Sequence, residues 1–242
     1  MYSKPDINCD MGEGAGNDAL LMPFITSASI ACGYHAGDAD TMQQTVALAL
    51  QHGVSIGAHP SFPDREHFGR REMALDDATL YRIITEQVKL LQEIAQAAGT
   101  SLRHVKPHGA LYNMSAKDAG LAALVAQAVK DTDPALVLFG LSGSHSIRAA
   151  QAAGLKTASE AFADRSYQED GSLTPRSQPG ALIETTGEVV QQVRQIINRQ
   201  QVTTLSGKII PLQADTICIH GDGPHAVDFA RAIFEAFIQP NA

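Results

Sequence analysis

The stretch HVKPHGALYN, from His104 to Asn113, decides how the rest of the chain is read. His104 and Val105 suit a strand, and Lys106 closes it. Pro107 and Gly109 shape a turn that lifts His108 towards the centre, and Ala110–Asn113 lead away into a helix. A strand whose end carries Lys106 and His108 and which passes directly into a helix is a βα unit with chemistry at its carboxyl end.

The same rhythm recurs along the chain, as short apolar or β-branched runs that end in polar clusters and alternate with helical-period segments. Strands are expected near Asp6–Cys9, Ser29–Cys32, Ser55–Ala58, Arg103–Lys106, Leu136–Phe139, Lys156–Glu160 and Thr216–His220. Helices are expected near Ala39–His52, Asp76–Ala98, Ala116–Lys130, Ser144–Ala153, Ile183–Gln201 and Pro224–Ile238. Asp76 and Asp77 can cap the helix that follows them, and Gly99 and Gly154 are stop signals. Leu80, Ile83, Ile84, Val88, Leu91 and Ile94 recur at three- and four-residue steps, so they form the stripe that would cover a barrel strand. Thr203–Leu212, with Ser206-Gly207 between apolar residues, reads as a hairpin. The polar, Pro/Gly-punctuated run from Asp164 to Ala181 reads as a functional loop. Apolar βα units continue on both sides of it, so residues 1–242 are expected to form one α/β domain.

The chain has 242 residues, 44% of them hydrophobic, and a formal charge of -8. Such a composition builds a sizeable core and excludes a disordered or collagen-like chain. No dense basic block is present, which argues against nucleic acid and against a membrane surface as partners. The N-terminus lacks the pattern of a secretory leader and no apolar run is long enough to span a bilayer, so a cytoplasmic protein is expected. Cys9, Cys32 and Cys218 form no CxxC pair and are expected to be reduced, buried thiols.

Chemistry-bearing residues gather just after the strands. Asn8, Asp10 and Glu13 follow the first, His35 and Asp38 the second, His59 and Asp64 the third, and Lys106 and His108 the fourth. Glu160, Asp164 and Arg165 follow the sixth, and His220 and Asp222 the seventh. The carboxyl ends of parallel strands lie on one face, so these residues should converge on a single site. Asp38, Asp64 and Asp222 have the simpler alternative of capping helices or turns. Capping does not call for histidine, and His35, His59, His108 and His220 recur at the same place in their units. Asp10, His59 and His108 could supply an Asp/His/His set for a divalent metal, although no HExxH or Cys/His module is present. Gly12-Glu13-Gly14 lacks GxGxxG spacing, Ser206-Gly207-Lys208 lacks a Walker A loop, and Gly140–Ser144 is not a nucleophile elbow. Carboxylates, histidines and one lysine remain, which suits general acid–base chemistry at a carbonyl or amide.

The ordered motifs DINCDMGE, IACGYHAGD, GAHPSFPD, VKPHGALYN, SEAFADRSY and IHGDGP, spread from Asp6 to Pro224, closely resemble the LamB/YcsF family. The resemblance implies an irregular seven-stranded (β/α) barrel similar to the carbohydrate-deacetylase type. It also implies a reaction: opening the lactam of 5-oxo-L-proline (pyroglutamate) to L-glutamate with hydrolysis of ATP as co-substrate, together with 5-oxoprolinase subunits B and C. On that basis His108 or Asp10 would be the general base, Glu160 or His220 the acid to the ring nitrogen, and Lys106 with Arg165 the anion holders. Asn8, Glu13, His35 and His59 would line the substrate site. Replacing Lys106 by Met is expected to abolish ATP-coupled turnover with the fold intact. The rival expectations are a metal-dependent amidohydrolase or deacetylase acting alone, and a non-catalytic lactam-binding subunit.

Overall fold

A computed structural model describes residues 5–239, so the ends of the expected 1–242 domain lie outside the described residues. The elements are β1 (Asp6–Met11), α1 (Asp18–Leu21), β2 (Ser27–Ala31), α2 (Ala39–His52), β3 (Ser55–His59), α3 (Asp77–Ala97), β4 (His104–Val105), α4 (Gly109–Lys117), α5 (Ala119–Thr132), β5 (Val137–Leu141), α6 (His145–Ala152), β6 (Lys156–Phe162), α7 (Thr186–Arg199), β7 (Gln201–Thr203), β8 (Ile209–Pro211), β9 (Thr216–Ile219) and α8 (Ala226–Ile233). Seven strands close into a barrel in the order β1-β2-β3-β4-β5-β6-β9. Every pairing around it is parallel, with β9 bonded to both β6 and β1. The α/β barrel expected from the sequence is the architecture found. The antiparallel hairpin β7–β8 sits between α7 and the last barrel strand.

The barrel strands alternate in an unusual sense. Ile7, Cys9, Met11, Ile30, Ile56, Val105, Leu138 and Ile217 are buried in the apolar core. Their alternating neighbours Asn8, Asp10, Ser29, His59, His104, Lys106, Glu160 and Thr216 are also buried, and they are polar. Buried polar groups must find partners, and these find one another across the barrel: Asn8 Nδ2 donates to Glu160 Oε1 at 2.9 Å and to Thr216 Oγ1 at 2.7 Å. The interior is thus a hydrogen-bonded lattice that continues upward into the site.

Several boundaries differ from expectation. The helix expected at Ala116–Lys130 is two helices, because Asp118 ends α4 and its carboxylate then caps α5 by accepting from Leu121 N at 2.8 Å. The last helix starts at Ala226 rather than Pro224, and α1 is an addition to the expected elements. The strand expected at Arg103–Lys106 is reduced to His104–Val105, yet Arg103 N and Lys106 N still bond to Ile56 O and Ala58 O, which extends the ladder at both ends. The α3 stripe is buried as expected, except that Ile94 is only partly covered and Ala95 takes the inner place. Gln87 on the same helix clamps the loop after β3, accepting from Ser61 N and donating to Ser61 O. Among the described residues no helix is long and apolar enough to cross a membrane.

Candidate active site

The strand ends open on a cavity of about 420 Å³ whose lining includes Asp10, Glu13, His59, Lys106, His108, Arg165 and His220. The expected convergence therefore holds for these seven. Asn8 and Glu160 lie one layer deeper, and His35 stands behind His108, its ring stacked on that ring at 3.9 Å.

Lys106 is surrounded by acceptors. Its ammonium lies 2.8 Å from Asp10 Oδ1, 2.9 Å from Glu160 Oε1, 3.0 Å from Asn8 Oδ1 and 3.1 Å from Cys218 Sγ. Burial alone would favour the neutral amine, but Asp10, Cys218 and Glu160 outweigh it and hold the Lys106 pKa well above its ordinary value. Burial likewise opposes ionisation of Asp10, and His59 and Lys106 overcome it, so Asp10 stays well below the usual carboxylate range. An ammonium has three protons, and these neighbours consume them.

Arg165 presents the opposite situation. It is 6% exposed, and its guanidinium donates only to the carbonyls of Ala181 and Thr174. Among the described residues no carboxylate forms an ion pair with it. Burial, with Arg176 nearby, brings its pKa down to about 10. A buried cation without a counter-ion is costly, so this is the cavity's candidate anion holder. The same two bonds tie the start of the Asp164–Ala181 loop to its middle and its end.

His220, just beyond β9, is oriented by Asp164. Its Nδ1 lies 2.9 Å and 3.0 Å from the two carboxylate oxygens, and its backbone N–H donates to Asp164 Oδ2 at 3.1 Å. Burial pushes Asp164 up, but His220 overrides this and keeps the carboxyl ionised below its ordinary range. A carboxylate on Nδ1–H leaves Nε2 with a lone pair, the arrangement of an oriented general base.

The histidines on the other side form a tight group with Glu13. His59 Nδ1 donates to Lys106 O at 2.7 Å, and His108 Nε2 donates to Phe68 O at 2.9 Å. Carbonyls only accept, so the remaining nitrogens, His59 Nε2 and His108 Nδ1, are the lone-pair atoms in the neutral rings, and they lie 2.9 Å apart. Glu13 Oε1 is 3.3 Å from His108 Nδ1, 3.8 Å from His59 Nε2 and 3.1 Å from His35 Nε2. Burial lowers His35 to about 3, and burial with His59 and His35 nearby lowers His108 well below its ordinary value. Burial and the Asp10 charge raise Glu13 well above the carboxylate range. Two imidazole nitrogens that converge beside a carboxylate fit a divalent cation. The set is Glu13, His59 and His108 with His35 close by, whereas Asp10 is turned towards Lys106 and approaches His59 Nε2 only to 3.4 Å. A second group, Asp10, Cys218 and His220, fits poorly because Lys106 already occupies the first two.

Local backbone explains how these side chains are aimed. Phe68 has φ 56°, a left-handed conformation rare outside glycine, and this turns its carbonyl to His108. A Cβ on the adjacent Gly69 would lie 2.2 Å from Ser61 Oγ and 2.9 Å from both His35 and His108, so only glycine fits there. Gly12 N–H is taken by Asp18 Oδ2 at 2.8 Å, so the glycine-rich loop serves to place Glu13 rather than to offer that N–H to an anion. Arg70 and Asp222 pair at 2.6 Å across the mouth. Asp38 caps α2 through Thr41 N, and Asp64 holds His67, so both are structural.

Tyr112 joins the site without being assigned to it by the sequence, and Asp164, expected at the rim, takes a role that the sequence does not give it, as the orienting partner of His220. Asp164 stands at an expected strand end, but nothing linear links it to His220. Tyr112 carries one signal, its position a helical turn after His108.

The sequence profile of the LamB/YcsF family matches residues 5–242. The chain is 53% identical over 234 residues to the 5-oxoprolinase A subunit of Erwinia tasmaniensis, covering 97% of this chain and 96% of that one. It is 52% identical over 235 residues to the 5-oxoprolinase A subunit of Geobacillus kaustophilus, covering 96% and 92%. Among solved structures it is similar to a lactam utilization protein from Thermus thermophilus, with a TM-score of 0.92, 42% identity and coverage of 98% and 97%. A family 4 carbohydrate esterase from Streptomyces lividans shares the fold at a TM-score of 0.50 and 12% identity, covering 99% and 90%.

Proposed function

The chain belongs to the LamB/YcsF family, and from that premise we propose that it is the A subunit of an ATP-dependent 5-oxoprolinase, opening 5-oxo-L-proline to L-glutamate together with subunits B and C. The names of the relatives support a lactam-opening role, and their being called subunits supports a multi-subunit assembly. The observation that carries the reading is the buried Arg165 guanidinium without a counter-ion, in a cavity that also holds an oriented His–Asp pair. Its natural complement is a small anionic amide, and arginine suits a carboxylate.

The chemistry accounts for the ATP. A five-membered lactam is an unstrained amide with a poor leaving group, and its tethered ends favour ring closure. Addition of water to the ring carbon would give a tetrahedral oxyanion, and its phosphorylation by ATP would trap that adduct. The adduct would open by C–N cleavage to an acyl phosphate, and hydrolysis of the acyl phosphate by a second water would couple ring opening to phosphate release. In this scheme Arg165 binds the substrate carboxylate, and His220, oriented by Asp164, takes the proton of water as it adds to the ring carbon. The Asp10–Lys106–Glu160 network beneath carries no positive charge to spare; it fixes Asp10 at the floor and supplies the buried field. Glu13, His59 and His108 would hold a divalent cation, which when bound supplies Lewis acidity at the water or at the lactam oxygen.

The test measures glutamate formed from 5-oxoproline by this chain alone and with subunits B and C, each with and without ATP and chelator. Glutamate only in the presence of both partners and ATP is expected. Chelator-sensitive turnover by the chain alone would replace this reading with the self-sufficient amidohydrolase.

A further inference from the structure

Tyr112 is one helical turn into α4, four residues after His108, and lines the cavity beside Lys106, Leu141 and Phe162. It is 6% exposed and packs edge-on against the Phe162 ring at 5.9 Å. Its hydroxyl is buried and has no hydrogen-bond partner among the described residues. Glu160 Oε2 nearby is likewise unpartnered, so no bond of good geometry joins the two. A buried hydroxyl left unsatisfied costs about 1–3 kcal/mol, and cores ordinarily place phenylalanine where a hydroxyl has no use. The two nearby cations are otherwise engaged: Lys106 is consumed by Asp10, Glu160 and Asn8, and Arg165, whose remaining donors are assigned to the substrate carboxylate, also holds the Thr174 and Ala181 carbonyls. Burial, reinforced by the nearby Glu160 carboxylate, raises the phenol well above its ordinary value, so it stays a donor throughout the working pH range.

We propose that the Tyr112 phenol is a catalytic hydrogen-bond donor to the carbonyl oxygen of the bound lactam. The proposal rests on the lactam-opening function above and adds a residue to it. Addition of water at the ring carbon moves negative charge onto that oxygen, and a donor already desolvated and fixed by Phe162 meets the charge without reorganisation. The proton stays on the phenol, so no group has to restore it.

Two measurements on wild type and Tyr112→Phe test this. In infrared difference spectra with 5-oxoproline labelled with 13C at the lactam carbonyl, the carbonyl band of wild type is expected to shift to lower frequency on binding. In Tyr112→Phe that shift should be largely lost while the melting temperature holds or rises. In the assay with subunits B and C and ATP, kcat is expected to fall about 10²–10³-fold, as when one oxyanion donor is removed, with a much smaller change in KM. An identical band position in both proteins, or kcat within about two-fold, overturns the assignment of Tyr112 alone and leaves its hydroxyl to Glu160. Absence of glutamate from wild type overturns the lactam-opening function, and the assignment with it.

Discussion

His59 Nε2 and His108 Nδ1 face each other across 2.9 Å, although each ring has already given its N–H to a backbone carbonyl, Lys106 O for one and Phe68 O for the other. Two neutral rings held this way present lone pair to lone pair, which is repulsive unless a proton or a cation lies between them. With Glu13 Oε1 at 3.3 Å from His108 Nδ1, a divalent cation answers both problems. Calorimetric titration of the purified chain, stripped with chelator, with Zn²⁺ or Mn²⁺ is expected to give one site. In His108→Ala, affinity should fall by at least an order of magnitude, and the metal-induced rise in melting temperature should shrink with it. No heat and no thermal shift with either ion would leave a shared proton as the explanation.

Lys106 behaves differently from its sequence-based expectation. It lies against Asp10 and Glu160 at 2.8 and 2.9 Å and is 2% exposed. Lys106→Met would leave two buried carboxylates without a counter-charge, a change that costs about 3–5 kcal/mol. For a chain of this size the melting temperature should fall by roughly 6–20 °C. A variant that melts with wild type would show that the network contributes little and would restore the expectation of an intact fold.

The distance between these two expectations marks how far the sequence reaches. It places all seven barrel strands and brings their polar ends to one rim, because apolar period and strand-end position are local signals. It does not say which charges cancel. Lys106 and Arg165 look alike as strand-end cations, and only the closed barrel, which sets residue 106 against residues 10 and 160, separates a satisfied cation from an available one. The Asp164–His220 pair, 56 residues apart in sequence, is hidden for the same reason. Asp118 escapes on a local scale: it closes one helix and opens the next, and the apolar period runs through the break.

Arg165 is expected to set affinity for the substrate carboxylate. Arg165→Lys keeps a charge but loses the fork, and a charge-assisted hydrogen bond is worth about 1.5–3 kcal/mol. The dissociation constant for 5-oxoproline should rise about 10–150-fold, while that for uncharged 2-pyrrolidinone should hardly change. Equal weakening of both ligands would mean that Arg165 acts through the loop it pins at Thr174 and Ala181.

Asp164→Asn removes the charge that orients His220 and is expected to lower kcat about 10²–10⁴-fold, the usual range for a misplaced general base. Stability offers a second readout. The carboxyl is held below its ordinary range in the folded chain, where burial is overcome by His220. The unfolded chain therefore takes up the proton first as pH falls. The stabilisation is complete above the ordinary carboxylate range and disappears as pH drops through the depressed value. The difference in unfolding free energy between wild type and Asp164→Asn should accordingly shrink on acidification. A difference independent of pH would show that the charge is not what the fold uses.

Gly57 and His104 face each other in paired strands, β3 and β4, and a Cβ built on Gly57 would lie 2.2 Å from Cδ2 and Nε2 of the imidazole. The ring cannot swing aside cheaply, because Ser29 Oγ holds Nε2 at 3.1 Å and Phe139 stacks on it at 4.1 Å. Gly57→Ala is expected to cost at least about 1–3 kcal/mol by overpacking. Because the same two strands carry His59 and Lys106 to the rim, activity should fall with stability. In a His104→Ala background the added methyl has room, so most of its cost should vanish, giving a coupling energy of the size seen between touching residues. Denaturant unfolding of the four proteins measures that coupling directly. Strict additivity would show that glycine is required at position 57 by the backbone and not by the imidazole opposite it.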